Sequence, residues 1–146
     1  MTGKKRMSAT SFIYTNILLY LLSPSAAKAN RAEEVLRGGG RISVQVLNEM
    51  ASVMRRKLSM PWHEVNDVLF LIRSICPVEP LTLEVHDRGR RVAERWGLSL
   101  YDGMIAAAAL LSNCDILYSE DMQHDLLIDE QLRIQNPFFV NCNGEN

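Results

Sequence analysis

Residues 11–24 read SFIYTNILLYLLSP, and the change of character along this stretch decides the fold class. Residues 11–14 are a short apolar, β-prone run, which predicts a first buried strand. Thr15 and Asn16 then supply a turn and a helix cap. The apolar residues 17–22 predict a short helical element, which Ser23 and Pro24 end.

The same succession recurs along the chain. Residues 116–118 are a second buried strand, followed at once by Ser119, Glu120 and Asp121. Residues 26–36 predict a helix broken by the triple glycine 38–40, and residues 41–43 predict a brief strand. Ser43 caps a helix over 44–57, whose buried stripe is Leu47, Met50, Ala51 and Met54 at i, i+3, i+4 and i+7. Pro61 opens a helix running to Ile75, and Cys76-Pro77 stops it. Residues 78–80 allow an extended piece. Thr82 caps a helix to Trp96, with Gly97 as its stop. A further helix is expected over 103–112, with Asp102 at its start and Asn113 at its end, and residues 132–134 alternate like a strand. Short apolar strands alternating with helices predict an α/β domain with a mostly parallel sheet. That domain is placed at 11–140, between a basic, flexible tail at 1–10 and a short tail at 141–146.

Composition narrows the function. The chain has 146 residues, 47% of them hydrophobic and 23% charged, a balance that fits one globular domain and argues against disorder. Cys76, Cys114 and Cys142 are odd in number and form no C-x-x-C pair, so neither a disulfide framework nor a cysteine zinc site is expected. No run approaches the roughly 18–20 apolar residues of a membrane span. The basic start and apolar residues 12–22 raise the alternative of a secretory signal, but Thr15 and Asn16 interrupt it, so a cytoplasmic protein is expected. Net charge is −1, yet residues 101–146 hold eight acidic side chains against one basic, so the last third is strongly acidic.

In open α/β sheets ligands bind beyond the carboxyl ends of strands. Three polar clusters are expected at or near such ends: Tyr14-Thr15-Asn16, Asp102 after residues 98–101, and Ser119-Glu120-Asp121. Glu49, one to two turns into its helix, can point to the same edge. Carboxylates gathered there repel one another unless a cation neutralises them, and all-oxygen ligands suit Mg²⁺ or Mn²⁺. Taken singly, each acid also has a plainer reading: Asp102 as a helix cap, Asp121 as a turn residue and Glu49 as a solvated helix residue.

Read together, residues 12–20 (FIYTNILLY), 43–49 (SVQVLNE), 100–108 (LYDGMIAAA) and 117–124 (LYSEDMQH) resemble the signature segments of PIN-domain ribonucleases, most closely the bacterial VapC-type toxins. The resemblance runs from about Phe12 to Phe139 and includes Asn136-Pro137-Phe138. It implies a three-layer α/β/α domain and a Mg²⁺- or Mn²⁺-dependent RNA endonuclease, the toxin of a toxin–antitoxin pair. Asp102 would be a principal metal ligand, Glu49 a second-site acid and Asp121 the completion of the pocket. Asn16 and Ser119 would position ligands or water, with Glu120 as an additional contributor. A homodimer and a cognate antitoxin are further implications, with residues 26–36 and 44–57 as contact surfaces.

One departure weighs more than any match. The family's first aspartate should stand where this chain has Tyr14. A phenol, with an ordinary pKa near 10, is neutral at pH 7 and removes one negative charge from a metal site. The expectation is an inactive or severely weakened nuclease. The alternative is a non-catalytic PIN-fold module that binds RNA or a protein partner. Arg88, Arg91 and Arg95, at i, i+3 and i+7, form a stripe that fits RNA phosphates or, equally, a solvated helix face. His63, His86 and His124 lack metal-ligand spacing.

Overall fold

The first strand forms where residues 12 and 13 need burial on both sides, and Phe12 and Ile13 are wholly enclosed. In the computed structural model, which describes residues 10–139, β1 (Ser11–Ile13) lies between two parallel neighbours. Residues 1–9, residues 140–146 and Cys142 with them lie outside the described residues, and so do the predicted tails apart from Thr10.

The remaining elements are α1 (Thr15–Leu19), continued by a 3₁₀ turn (Tyr20–Leu22), then α2 (Ala26–Arg37), β2 (Ile42–Ser43) and α3 (Val44–Arg56). They are followed by α4 (Trp62–Ile75), β3 (Val78–Glu79), α5 (Leu83–Trp96) and α6 (Leu100–Leu111). The chain closes with β4 (Ile116–Tyr118), β5 (Leu127–Ile128) and β6 (Leu132–Gln135). Strands β1, β4, β6 and β5 form one sheet in that order, parallel except for the β5–β6 pair. Strands β2 and β3 pair in parallel, and Arg41 links them to β1 by exchanging backbone hydrogen bonds of 2.9 Å with Ser11 and Ile13. This is the expected α/β fold around a mostly parallel sheet.

Register positions the functional edge. Ile13 pairs with Tyr118, and Tyr118 with Gln135, so three strands end side by side. The residues that follow them, Tyr14–Asn16, Ser119–Asp121 and Asn136, therefore leave the sheet along one edge. Helix α6, its alanines buried, packs on β4 and β6 with α5 against it.

Local capping follows the sequence at Ser43, whose Oγ accepts from Val46 N, and at Thr82, which accepts from Val85 N. Gly97 ends α5 at φ 67°, a left-handed conformation that glycine adopts without strain. Other expectations are corrected. Helix α1 begins at Thr15, with Tyr14 in the cap position and no side-chain cap bond. Helix α6 begins at Leu100, capped by Ser99 Oγ, which accepts from the Asp102 amide at 3.1 Å. Asp102 is thus in the first turn and not the cap, and it follows no strand. The inward face of α3 is Gln45, Val46, Met50 and Met54, with Leu47 and Ala51 at its margin. Strand β5 and its antiparallel hairpin with β6 are additional to the elements the sequence predicts. Among the described residues no helix is long and apolar enough to cross a membrane.

Candidate functional site

Strand β1 delivers Tyr14, Thr15 and Asn16 to the floor of an open cleft of about 300 Å³, which Glu49, Val53 and Asp121 also line. The two acids arrive from different elements. Glu49 comes from the second turn of α3, and Asp121 from the loop after β4.

Tyr14 is 8% exposed, and its backbone N–H donates to the Tyr118 carbonyl at 3.0 Å, which anchors the main chain at the end of β1. Its hydroxyl donates a 2.6 Å hydrogen bond to Asp102 Oδ1. Burial pushes the phenol's pKa well above the ordinary tyrosine range. The bond to Asp102 and the charges of Asp102, Glu49 and Asp121 push it further the same way. Tyr14 is therefore neutral throughout the physiological range, with its proton committed to Asp102. Asp102 itself is not among the residues lining the cleft.

Glu49 is held on both oxygens. Thr15 Oγ1 donates to Oε1 at 2.8 Å, and Gln45 Nε2, one helical turn earlier, donates to Oε2 at 3.0 Å. Buried Thr15 and Gln45 thus orient an acid that sequence reading left unsupported. The i, i+4 spacing of Gln45 and Glu49 was the available signal.

The loop after β4 splits its residues. Ser119 is fully buried, and its Oγ accepts from Met122 N at 3.4 Å, so it shapes the loop from inside. Asn16 Oδ1 accepts from Glu120 N at 3.4 Å and ties α1 to that loop. Asp121 is exposed and lines the cleft. Glu120 lines a neighbouring groove of about 410 Å³, where Tyr20 donates to Oε1 at 2.6 Å and Lys28 Nζ lies 3.2 Å from Oε2. Bonding to Glu120 raises the pKa of the Tyr20 phenol, and likewise that of the Lys28 ammonium. The groove and the cleft share Asn16, Leu19, Val53 and Asp121, so they are continuous.

The structure brings together Tyr14, Asn16, Glu49 and Asp121, puts Asp102 behind the Tyr14 hydroxyl, and turns Glu120 aside. Among the described residues no three Asp, Glu, His or Cys side chains converge closely enough to hold one metal ion. The arginine stripe is elsewhere. Arg88 Nη2 pairs with Asp129 Oδ2 at 3.1 Å, in the β5–β6 turn. That turn precedes β6, whose far end meets Tyr118, so it sits at the opposite edge of the sheet. Arg91 and Arg95 are exposed, with the Arg95 guanidinium 5.7 Å from the Trp96 ring centre.

The chain matches the family model of the PIN domain over residues 12–127. No curated protein matches it in sequence. Among solved structures it is similar to a toxin–antitoxin complex from Klebsiella pneumoniae, with TM-score 0.69 and 18% identity over 90% of this chain and 100% of that one. It is also similar to VapBC2 from Rickettsia felis bound to a promoter DNA fragment, with TM-score 0.62 and 19% identity over 87% and 99%. A third is VapC20 from Mycobacterium tuberculosis, a sarcin–ricin loop cleaving toxin, with TM-score 0.60 and 17% identity over 74% and 87%. At these identities the likeness is one of fold.

Proposed function

The chain belongs to the PIN-domain family, and on that premise we propose that it is the toxin-type partner of a toxin–antitoxin pair whose nuclease site is disabled at Tyr14. By descent the activity is hydrolysis of RNA phosphodiester bonds by a Mg²⁺- or Mn²⁺-dependent endonuclease. Such an ion supplies an activated water and neutralises charge building on the phosphate oxygens. The acids assigned to that ancestral site are Asp102, Glu49 and Asp121, with Tyr14 at the lost ligand position and Asn16 and Ser119 in supporting places.

The observation that carries the reading is the 2.6 Å bond from the Tyr14 hydroxyl to Asp102 Oδ1. A neutral donor stands where a fourth negative oxygen ligand is needed, and it occupies the principal acid's oxygen. The residues present therefore do not fit a divalent ion, in keeping with the lack of any three converging ligands among the described residues. No chemical step is assigned to this chain.

The same observation favours a second reading, a non-catalytic module in which cleft and groove bind a partner. An antitoxin segment is the partner proposed for that surface, which Val53 of α3 helps to line. A homodimer in the cytoplasm completes the proposal. RNA contacts, where made, fall to Arg91 and Arg95, since Arg88 is committed to Asp129.

The deciding experiment compares the protein with its Tyr14→Asp variant on total RNA, with Mg²⁺, with Mn²⁺ and with EDTA. Cleavage by the variant alone, abolished by EDTA, supports the disabled nuclease. Equal cleavage by both removes Tyr14 as a lost ligand. Cleavage by neither puts the binding module first.

A further inference from the structure

We propose that Lys28 is a resident counter-cation for the loop after β4, a positioning residue that holds Glu120 outside the carboxylate cluster and seats Phe138 over it. The proposal rests on the reading that this cluster descends from a cation site.

Four elements meet at the Lys28 ammonium. It projects from α2 to within 3.2 Å of Glu120 Oε2 and 3.4 Å of the Tyr20 hydroxyl. It lies 4.5 Å from the centre of the Tyr20 ring and 4.7 Å from that of Phe138, and these rings meet edge-on at 4.9 Å. A lone surface ion pair contributes little, but an ammonium held between two aromatic rings and a carboxylate is fixed from several sides.

Glu120 is committed at every polar atom. Its carboxylate oxygens go to Tyr20 and Lys28, its N–H to Asn16 Oδ1, and its carbonyl accepts from Asn136 Nδ2 at 3.5 Å. Arg31, three residues after Lys28 on α2, donates from Nε to the Pro137 carbonyl at 2.7 Å. One face of α2 thus clamps residues 136–138 and the acid loop together. With Tyr14 on Asp102, Thr15 and Gln45 on Glu49, and Lys28 on Glu120, three of the four acids are engaged by groups of the chain itself.

The consequence is that restoring an aspartate at position 14 rebuilds the site incompletely, because the ammonium still opposes a cation nearby. Mn²⁺ binding, followed by electron paramagnetic resonance and by thermal shift, tests this on the full chain carrying Tyr14→Asp alone, with Lys28→Met, or with Lys28→Arg. Removing the charge, and with it the hold on Glu120 Oε2, should tighten Mn²⁺ binding about tenfold over Tyr14→Asp alone. Lys28→Arg, which keeps the charge, should leave it unchanged. Should Lys28→Met fail to fold, Lys28→Gln carries the same comparison.

If Tyr14→Asp binds Mn²⁺ and neutralising Lys28 does not tighten it, the Lys28 proposal is overturned and the reading of Tyr14 stands. Tightening by Lys28→Arg as well would overturn it too, since the charge would then be irrelevant. If no variant binds Mn²⁺, the ancestral cation site and the Lys28 proposal fall together.

Discussion

The Tyr14 hydroxyl and Asp102 Oδ1, separated by 88 residues of sequence, are joined by a 2.6 Å hydrogen bond at the carboxyl edge of the sheet. The bond ties the end of β1 to the first turn of α6, so it bears on stability as well as on chemistry. A raised phenol pKa means that the folded chain holds this proton more tightly than the unfolded chain does. The stabilisation is complete below the unfolded value near 10 and is lost as pH rises beyond it. Tyr14→Phe should cost about 1–2 kcal/mol at pH 8. The gap between the two proteins should narrow in urea unfolding at pH 10 and above. A gap that stays constant to pH 11 would mean that the hydroxyl does not carry the effect.

Gly89 of α5 and Gly103 of α6 make a second prediction, because backbone meets backbone there. A Cβ on Gly103 would lie 2.5 Å from the Gly89 carbonyl oxygen, and one on Gly89 would lie 2.8 Å from Met104 Cα. Neither neighbour can yield without shifting a helix. Alanine raises helix propensity by about 1 kcal/mol, but overpacking against a rigid neighbour costs about 1–3 kcal/mol or more. Gly103→Ala should therefore lower the denaturant midpoint, and Gly89→Ala should do so by less than or as much as Gly103→Ala. Calorimetry that found either alanine stabilising would refute the close approach.

These relationships were unequally legible. Ser43, Thr82 and Gly97 announced their helix ends because the capping chemistry is local and the residue types are specific. Ser99 carried the same signal, with Asp102 three residues on, but it stands between Leu98 and Leu100 in a stretch that also fits a short apolar run. The β5–β6 hairpin was hidden for a different reason. Its turn places Asp129 at φ 52° and Glu130 at φ 58°, where Asn-Gly is the recognisable pair. At the candidate site the identity of Tyr14 was plain in the sequence. Its partner was not, since contacts between side chains 88 residues apart depend on strand register. The same holds for Thr15 on Glu49 and for Lys28 on Glu120.

The buried thiols supply a third prediction. Cys76 is 2% exposed at the end of α4, and burial pushes its thiol up to about 11. Burial likewise raises Cys114, which is fully enclosed, against a lowering contact from Ser112. The reactive thiolate is scarce at both positions near neutral pH. Iodoacetamide at pH 8, followed by peptide mass spectrometry, should leave both unmodified in the native protein and modify both in urea. Rapid native labelling of Cys76 would show that α4 opens far more readily than its packing implies.

Asp129 gives the acid counterpart to Tyr14. Burial works to raise its pKa, but hydrogen bonds from Trp96 Nε1 and Arg88, both at 3.1 Å, outweigh it and hold the carboxyl below the usual range. The linkage sign is therefore opposite: the stabilisation is present above the unfolded value near 3.9 and is lost as pH falls below it. Asp129→Asn is a clean test, since asparagine tolerates the positive φ at this turn and can still accept from Trp96. At pH 7 the variant should be less stable by about 1 kcal/mol, the scale of a partly buried charged pair discounted for its exposure. Between pH 4 and roughly pH 2 the two proteins should converge, because the parent carboxyl then takes up the proton that asparagine mimics. Trp96 fluorescence reports the transition in both. A difference that persisted unchanged below pH 3 would place its origin in the turn's backbone and not in the ion pair with Arg88.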